Sequence, residues 1–79
     1  MLRPTAINVQ PDDGYTLLIM FDNGEFRKFD ATPYLDGEWY QELKDLSIFD
    51  KVKVNGVTVE WPGGQDICPD DLYFNSTKI

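Results

Sequence analysis

Apolar residues alternate most regularly between Tyr15 and Phe21. Tyr15, Leu17, Ile19 and Phe21 fall on one side of an extended chain, and Thr16, Leu18 and Met20 on the other. Both sides are largely apolar, which predicts a central strand covered on both faces. Upstream, Thr5 to Gln10 is expected to form a first short strand. It ends in a turn at Pro11-Asp12-Asp13-Gly14, where proline presets φ and glycine admits a positive one. Downstream, Asp22-Asn23-Gly24 closes a hairpin onto Glu25 to Asp30. Two registers are open: a two-residue Asn23-Gly24 loop sets Phe21 opposite Phe26, and a bulged three-residue loop sets Phe21 opposite Glu25. In either, Phe26 and Phe29 lie on opposite faces, being three residues apart.

The period then changes. Trp39, Leu43 and Leu46 stand at i, i+4 and i+7, which predicts one stripe of a short helix over Glu38 to Leu46 with Asp36 as its N-cap. Ser47-Ile48-Phe49 is expected to lead back to the sheet. A second hairpin follows around Asn55-Gly56, a favoured type I′ pair. That turn sets Val54 opposite Val57, Val52 opposite Val59 and Lys51 opposite Glu60. One face then carries Val52, Val54, Val57, Val59 and Trp61, and the wet face carries Lys51, Lys53, Thr58 and Glu60. Pro62-Gly63-Gly64 turns the chain. Asp66 is placed to bond nearby backbone N–H groups, and Pro69 opens a closing helical turn with Asp70 and Asp71 at its N-terminal end. That turn lays Leu72 and Tyr73 on the core. The sum is a small α+β domain of about five antiparallel strands in two hairpins with one short helix, spanning residues 1–79 as a single domain. Asn75 to Ile79 are a candidate flexible tail. One helix cannot cover both sides of the sheet, so Leu18 and Met20 are a candidate interaction surface. An open face or edge also invites self-association.

Charge narrows the partners. The chain carries 14 acidic residues against 7 basic ones, a net charge of −7, and the basic residues are scattered. Direct nucleic-acid binding through phosphates needs clustered cations and is not expected. With a single cysteine, Cys68, no intramolecular disulfide can form, which fits a reducing compartment. No apolar segment resembles an export signal or a membrane span, so a cytoplasmic location is expected.

Candidate chemistry is sparse. The absence of histidine removes the commonest general base and every Ser-His or Cys-His pairing. Asp66, Asp70 and Asp71 would raise the pKa of the Cys68 thiol and starve it of thiolate. The same aspartates, with Glu60, could ligate a divalent cation through oxygen, but their spacing matches no EF-hand loop, and a structural role at the turn is the stronger reading. Trp39 and Trp61 read as core residues rather than ligand platforms. No catalytic residue, cofactor or metal site is expected.

Ordered along the chain are Phe21 with Asn23-Gly24-Glu25, Phe29-Asp30, Pro33-Tyr34-Leu35, Leu43, Phe49, Val52, Val54, Trp61-Pro62, Gly64, Asp66, Pro69 and Leu72-Tyr73. This order resembles a bacterial family catalogued as domain of unknown function 2442. The resemblance implies a small α+β domain, either stand-alone or joined to a helix-turn-helix module. This chain, ending shortly after Tyr73, is expected to be a stand-alone member without that module. Such members are often encoded beside another small protein, which implies a toxin–antitoxin-like pair. The resemblance supplies no catalytic residues. Its signature positions Asn23, Gly24, Asp30, Trp61, Pro62, Asp66, Pro69, Leu72 and Tyr73 are expected to be structural. The expected function is therefore a non-enzymatic protein-binding module, the acidic partner of a neighbouring gene product, with a homodimer as a further possibility. The alternatives are an acidic inhibitor or nucleic-acid mimic acting on a basic enzyme, and a small carboxylate- or metal-dependent hydrolase.

Overall fold

A computed structural model describes residues 3–79. Strands β1 (Ala6–Asp12), β2 (Thr16–Phe21) and β3 (Phe26–Asp30) form an antiparallel meander. Two 3-10 segments, Thr32–Asp36 and Glu38–Lys44, and a one-turn helix α1 (Leu46–Phe49) lead to a small hairpin of β4 (Lys53–Asn55) and β5 (Thr58–Glu60). Helix α2 (Pro69–Phe74) then returns the chain to the first sheet. There the short strand β6 (Thr77–Lys78) pairs with β3, giving the order β1-β2-β3-β6. The fold is α+β, as the pattern of the chain predicts.

One side of the four-stranded sheet makes the core. Leu17, Ile19 and Phe21 of β2 are buried there with Phe29, against Leu35, Leu43, Phe49, Trp61, Ile67 and Leu72 from the rest of the chain. The first strand contributes through an irregularity. Ala6 pairs with Phe21, but Asn8 pairs with Met20, so Ile7 is the extra residue of a bulge. The bulge resets the alternation, which lets both Ala6 and Val9 face inward while Ile7 stays 53% exposed.

Both turns of the meander have three residues. Met20 pairs with Phe26, and the Phe21 N–H donates to the Glu25 carbonyl at 2.9 Å, so the bulged alternative holds at Asp22-Asn23-Gly24. Phe29 is buried and Phe26 half-exposed, on opposite faces as expected. At the other end β1 runs on through Pro11 to Asp12, and the turn is Asp13-Gly14-Tyr15. Tyr15 therefore leaves the predicted strand and adopts φ 61°. Left-handed backbone costs a non-glycine residue about 1–2 kcal/mol. The tyrosine ring offsets this by meeting Phe49 edge-on at 5.4 Å, and its hydroxyl donates to the Lys44 carbonyl.

The predicted helix over Glu38 to Leu46 is not α-helical. Gly37 and Asp45 both have extended backbone, with ψ of 140° and 112°, and they divide the region into three short pieces. With a 3-10 period of three residues, Tyr40 and Leu43 share the inward side, and Trp39 and Leu46 are left 55% and 52% exposed. Trp39 is therefore not a core residue. Asp36 does not cap either; Asp45 caps α1 instead, its carboxylate accepting the Ser47 N–H at 3.0 Å. Ser47 to Phe49 are helical rather than a return to the sheet.

The second hairpin also shifts. Asn55 pairs with Thr58, Val54 with Val59 and Lys53 with Glu60, so the loop is Gly56-Val57. Gly56 at φ 65° takes the first loop position and Val57 the second, the arrangement of a type II′ rather than a type I′ turn. Val57 consequently leaves the core face and is 49% exposed. Thr58, predicted wet, is buried, and its hydroxyl donates to the Ile67 carbonyl at 2.6 Å. A slip of two residues preserves facing parity, so Val52, Val59 and Trp61 still point inward. Asn75 to Ile79, read as a candidate flexible tail, contain β6.

The signature segment and the open face of the sheet

Trp61 is 1% exposed and closes the hairpin face, as its position predicts. Its indole N–H donates to the Phe49 carbonyl at 2.9 Å, and its ring lies 5.7 Å from that of Phe49. The backbone then folds back on itself. Gly64 N–H donates to the Trp61 carbonyl, Trp61 N–H donates to the Gln65 carbonyl, and Asp66 bridges to Glu60. Pro62 and Gly63 form the exposed tip, and Gly64 supplies φ 92°. Asp66 acts through its backbone: its carbonyl accepts the Tyr40 hydroxyl at 2.8 Å. Its exposed carboxylate makes no hydrogen bond among the described residues, contrary to the expected bond to backbone N–H groups. Tyr40 is held above its ordinary pKa mainly by burial, with the Asp66 charge adding to it. Pro69 is the first residue of α2 and Leu72 is fully buried, both as predicted.

Gln65 and Tyr40 were not singled out by sequence reasoning. Gln65 is 4% exposed, and its amide donates to the Glu42 carboxylate at 2.9 Å and to the Trp39 carbonyl at 3.2 Å. This clamps the signature turn onto the second 3-10 segment. A polar residue in a glycine-rich turn carries no periodic signal, so only the tertiary arrangement shows that it is buried.

Tyr73 belongs to a second structural cluster. Its ring meets Phe21 edge-on at 5.0 Å, and its hydroxyl donates to the Glu25 carboxylate at 2.7 Å. Arg27 lies 4.4 Å over the same ring and donates to Glu25, to the Ser76 hydroxyl and to the Ser76 carbonyl. The Tyr73 hydroxyl, with further help from Asn23 and Arg27, holds the Glu25 carboxyl below its ordinary pKa. Asn23 accepts the Glu25 N–H, and Gly24 takes φ 87° beside it. Asp30 accepts the Thr32 N–H at 2.9 Å, and its bonds to Thr32 hold its carboxyl below the ordinary range.

The carboxylates of the closing turn are dispersed. Asp70 pairs with Arg3 at 3.1 Å, and Asp66, Asp70 and Asp71 are all exposed. Among the described residues, no group of three or more acids or cysteines is arranged to hold a metal ion. Cys68 is exposed at the start of α2, and its carbonyl accepts the Leu72 N–H.

Leu18 and Met20 lie elsewhere, on the side of the sheet facing away from the core. Together with Asn8, Gln10, Phe26 and Ile79 they line a groove of about 380 Å³. Phe26 is 50% and Ile79 71% exposed, while Leu18 and Met20 are half-buried. Among the described residues no helix or loop crosses this groove, so within them β2 is covered on one face only, not two.

A family model described as a protein of unknown function (DUF2442) matches residues 6–78. The chain belongs to this family. The matched region runs from the first residue of β1 to the last of β6 and includes the signature turn and, except for Ile79, the lining of the open sheet face. Comparisons with curated proteins and with solved structures gave no match. Among the described residues no helix is long and apolar enough to cross a membrane.

Proposed function

We propose that this DUF2442 protein is a protein-binding module that works by contact rather than catalysis, with the open face of its sheet as the contact surface. One observation carries the reading: Leu18 and Met20 of β2, Phe26 of β3 and Ile79 just beyond β6 form a continuous apolar groove, with none of the described residues over it. An antiparallel sheet with one wet face ordinarily alternates apolar and polar residues. Here the central strand is apolar on both sides, and exposed apolar patches of this kind mark interaction sites. The signature turn supports the reading from the other side, because its backbone bonds and the Trp61 indole bond close on the fold itself. A neighbouring gene product, as in a toxin–antitoxin-like pair, is the natural partner, and the single exposed thiol suits the reducing cytoplasm. The test is affinity capture from the native host with the wild-type chain, Met20→Lys, and Asp66→Asn/Asp71→Asn. The proposal expects a stoichiometric partner that Met20→Lys loses and the aspartate variant keeps. Retention by Met20→Lys would remove the sheet face from the function.

A further inference from the structure

The open face is graded along its strands. Strand register divides its outward side chains into three rows. Asn8, Met20 and Phe26 form the first, with Ile79 beside them, the Ile79 N–H donating to the Phe26 carbonyl at 3.0 Å. Gln10, Leu18, Lys28 and Thr77 form the second, and Asp12 and Asp30 the third, on either side of Thr16, which is itself buried. The side chains of the face are therefore uncharged and mostly apolar at one end and include two carboxylates at the other. Asp12 and Asp30 flank Thr16 on either side, both exposed, and Asp30 is kept ionised by its bonds to Thr32.

A second copy is a poor occupant. Full two-fold overlap about an axis across the strands lays the Asp12–Asp30 row of one molecule on the Met20–Phe26 row of the other, and overlap about an axis along the strands lays the two carboxylate rows on each other. The first desolvates carboxylates against apolar side chains, and the second brings like charges together. Overlap of the apolar rows alone avoids the clash but leaves the other two rows uncovered, a contact of Asn8, Met20, Phe26 and Ile79 against the roughly 20–30 residues a side of a standard interface.

We propose that the face takes an amphipathic helix from another protein, apolar at one end of its contact stripe and basic at the other. The proposal rests on the protein-binding reading above and specifies the chemistry of the partner. From the Met20 row to the Thr16 row is four residues of β2, about 13 Å at about 3.3 Å per residue. A helix rises about 1.5 Å per residue, so with apolar residues at i and i+4, positions i+7 and i+8 lie on the same stripe and about 11 to 12 Å from residue i. Basic residues there reach Asp12 and Asp30. Lys28 occupies the middle row, so the basic end belongs over the third row rather than over Leu18. Helix-in-groove recognition of this sort takes its affinity from the apolar anchors and its orientation from the charges.

The test uses the full chain and two synthetic helical peptides that share an apolar stripe and differ only in Arg or Glu at the two positions beyond it. Binding is measured by fluorescence anisotropy at low and high salt. The Arg peptide is expected to bind, to weaken with salt, and to lose roughly two- to fivefold in affinity with each of Asp12→Asn and Asp30→Asn. The Glu peptide is expected to bind more weakly. Equal binding of both peptides would overturn the charge grading while leaving an apolar protein-binding face in place. No binding of either, with the variants folded by circular dichroism, would overturn both. Concentration-dependent dimerisation that Met20→Lys abolishes would assign the face to a second copy and overturn the helix proposal.

Discussion

The two tryptophans offer a sharp test, because the sequence pattern treats them alike and the structure does not. Trp61→Phe removes an indole N–H whose acceptor, the Phe49 carbonyl, is buried. Leaving a buried acceptor unpaired costs about 1–3 kcal/mol. That carbonyl also receives the Val52 N–H at 3.3 Å, so the lower end of the range applies, about 1 kcal/mol. The smaller ring leaves a void of roughly 40 Å³, which at about 24 cal/mol per Å³ adds about 1 kcal/mol. The total is about 2 kcal/mol, out of the roughly 4 to 12 kcal/mol ordinary for a domain of this size, so the variant still folds. In thermal denaturation that corresponds to a loss of about 8–16 °C in Tm. Trp39→Phe changes a half-exposed ring on the second 3-10 segment and is expected to cost under about 0.5 kcal/mol. Each variant leaves one tryptophan as a reporter. Trp61 alone should emit blue-shifted fluorescence and resist acrylamide, and Trp39 alone should emit to the red and be quenched. Equal losses of stability, or a quenchable Trp61, would refute the packing described.

Other consequences follow from the same structure. A Cβ on Gly63 would lie 2.0 Å from the Glu42 carboxylate and 2.7 Å from Gln65 Oε1, so Gly63→Ala displaces the side-chain ends that form the Gln65–Glu42 clamp and weakens it. A loss of about 1–3 kcal/mol is expected in urea denaturation. Val59→Ala should cost about 2 kcal/mol, whereas Val57→Lys, in the loop, should be close to neutral; equal costs would restore the type I′ register. Glu25, Asp30 and Asp45 all have carboxyls held below their ordinary values, by Tyr73, Thr32 and Ser47 respectively. Their stabilisation is complete above the ordinary carboxyl pKa values and is lost as pH falls through the depressed ones. Tm should therefore hold from neutral pH down to about pH 5 and decline below it, and Glu25→Gln should flatten part of that decline.

The parts of the fold legible in the sequence are those written in alternation. The Leu17, Ile19 and Phe21 face, the opposed Phe26 and Phe29, and Trp61 beside the inward valines all emerge from period-two reasoning and turn chemistry. The misplaced parts are those where the backbone departs from a single period. Extended backbone at Gly37 and Asp45 converts an apparent i, i+4, i+7 stripe into 3-10 turns, exchanging Tyr40 for Trp39. At the second hairpin, Asn55-Gly56 invited a type I′ turn. Thr58, however, gains a buried acceptor in the Ile67 carbonyl only when the loop moves forward to Gly56-Val57. That bond links residues nine apart through a turn, which no local pattern encodes. The candidate surface was half legible. Leu18 and Met20 announce an apolar outer face, but Phe26 joins them through the bulged register of β2 and β3, and Ile79 only because β6 returns beside β3.

The account separates a contact face on the outer side of the sheet from a signature segment that holds the fold together. Amide and methyl chemical-shift mapping of the labelled protein, titrated with the Arg peptide, tests that separation most directly. Perturbations confined to Asn8, Gln10, Leu18, Met20, Phe26, Ile79 and the Asp12–Asp30 row are predicted. Perturbations centred on Trp61 to Asp71, with the outer face unmoved, would contradict it.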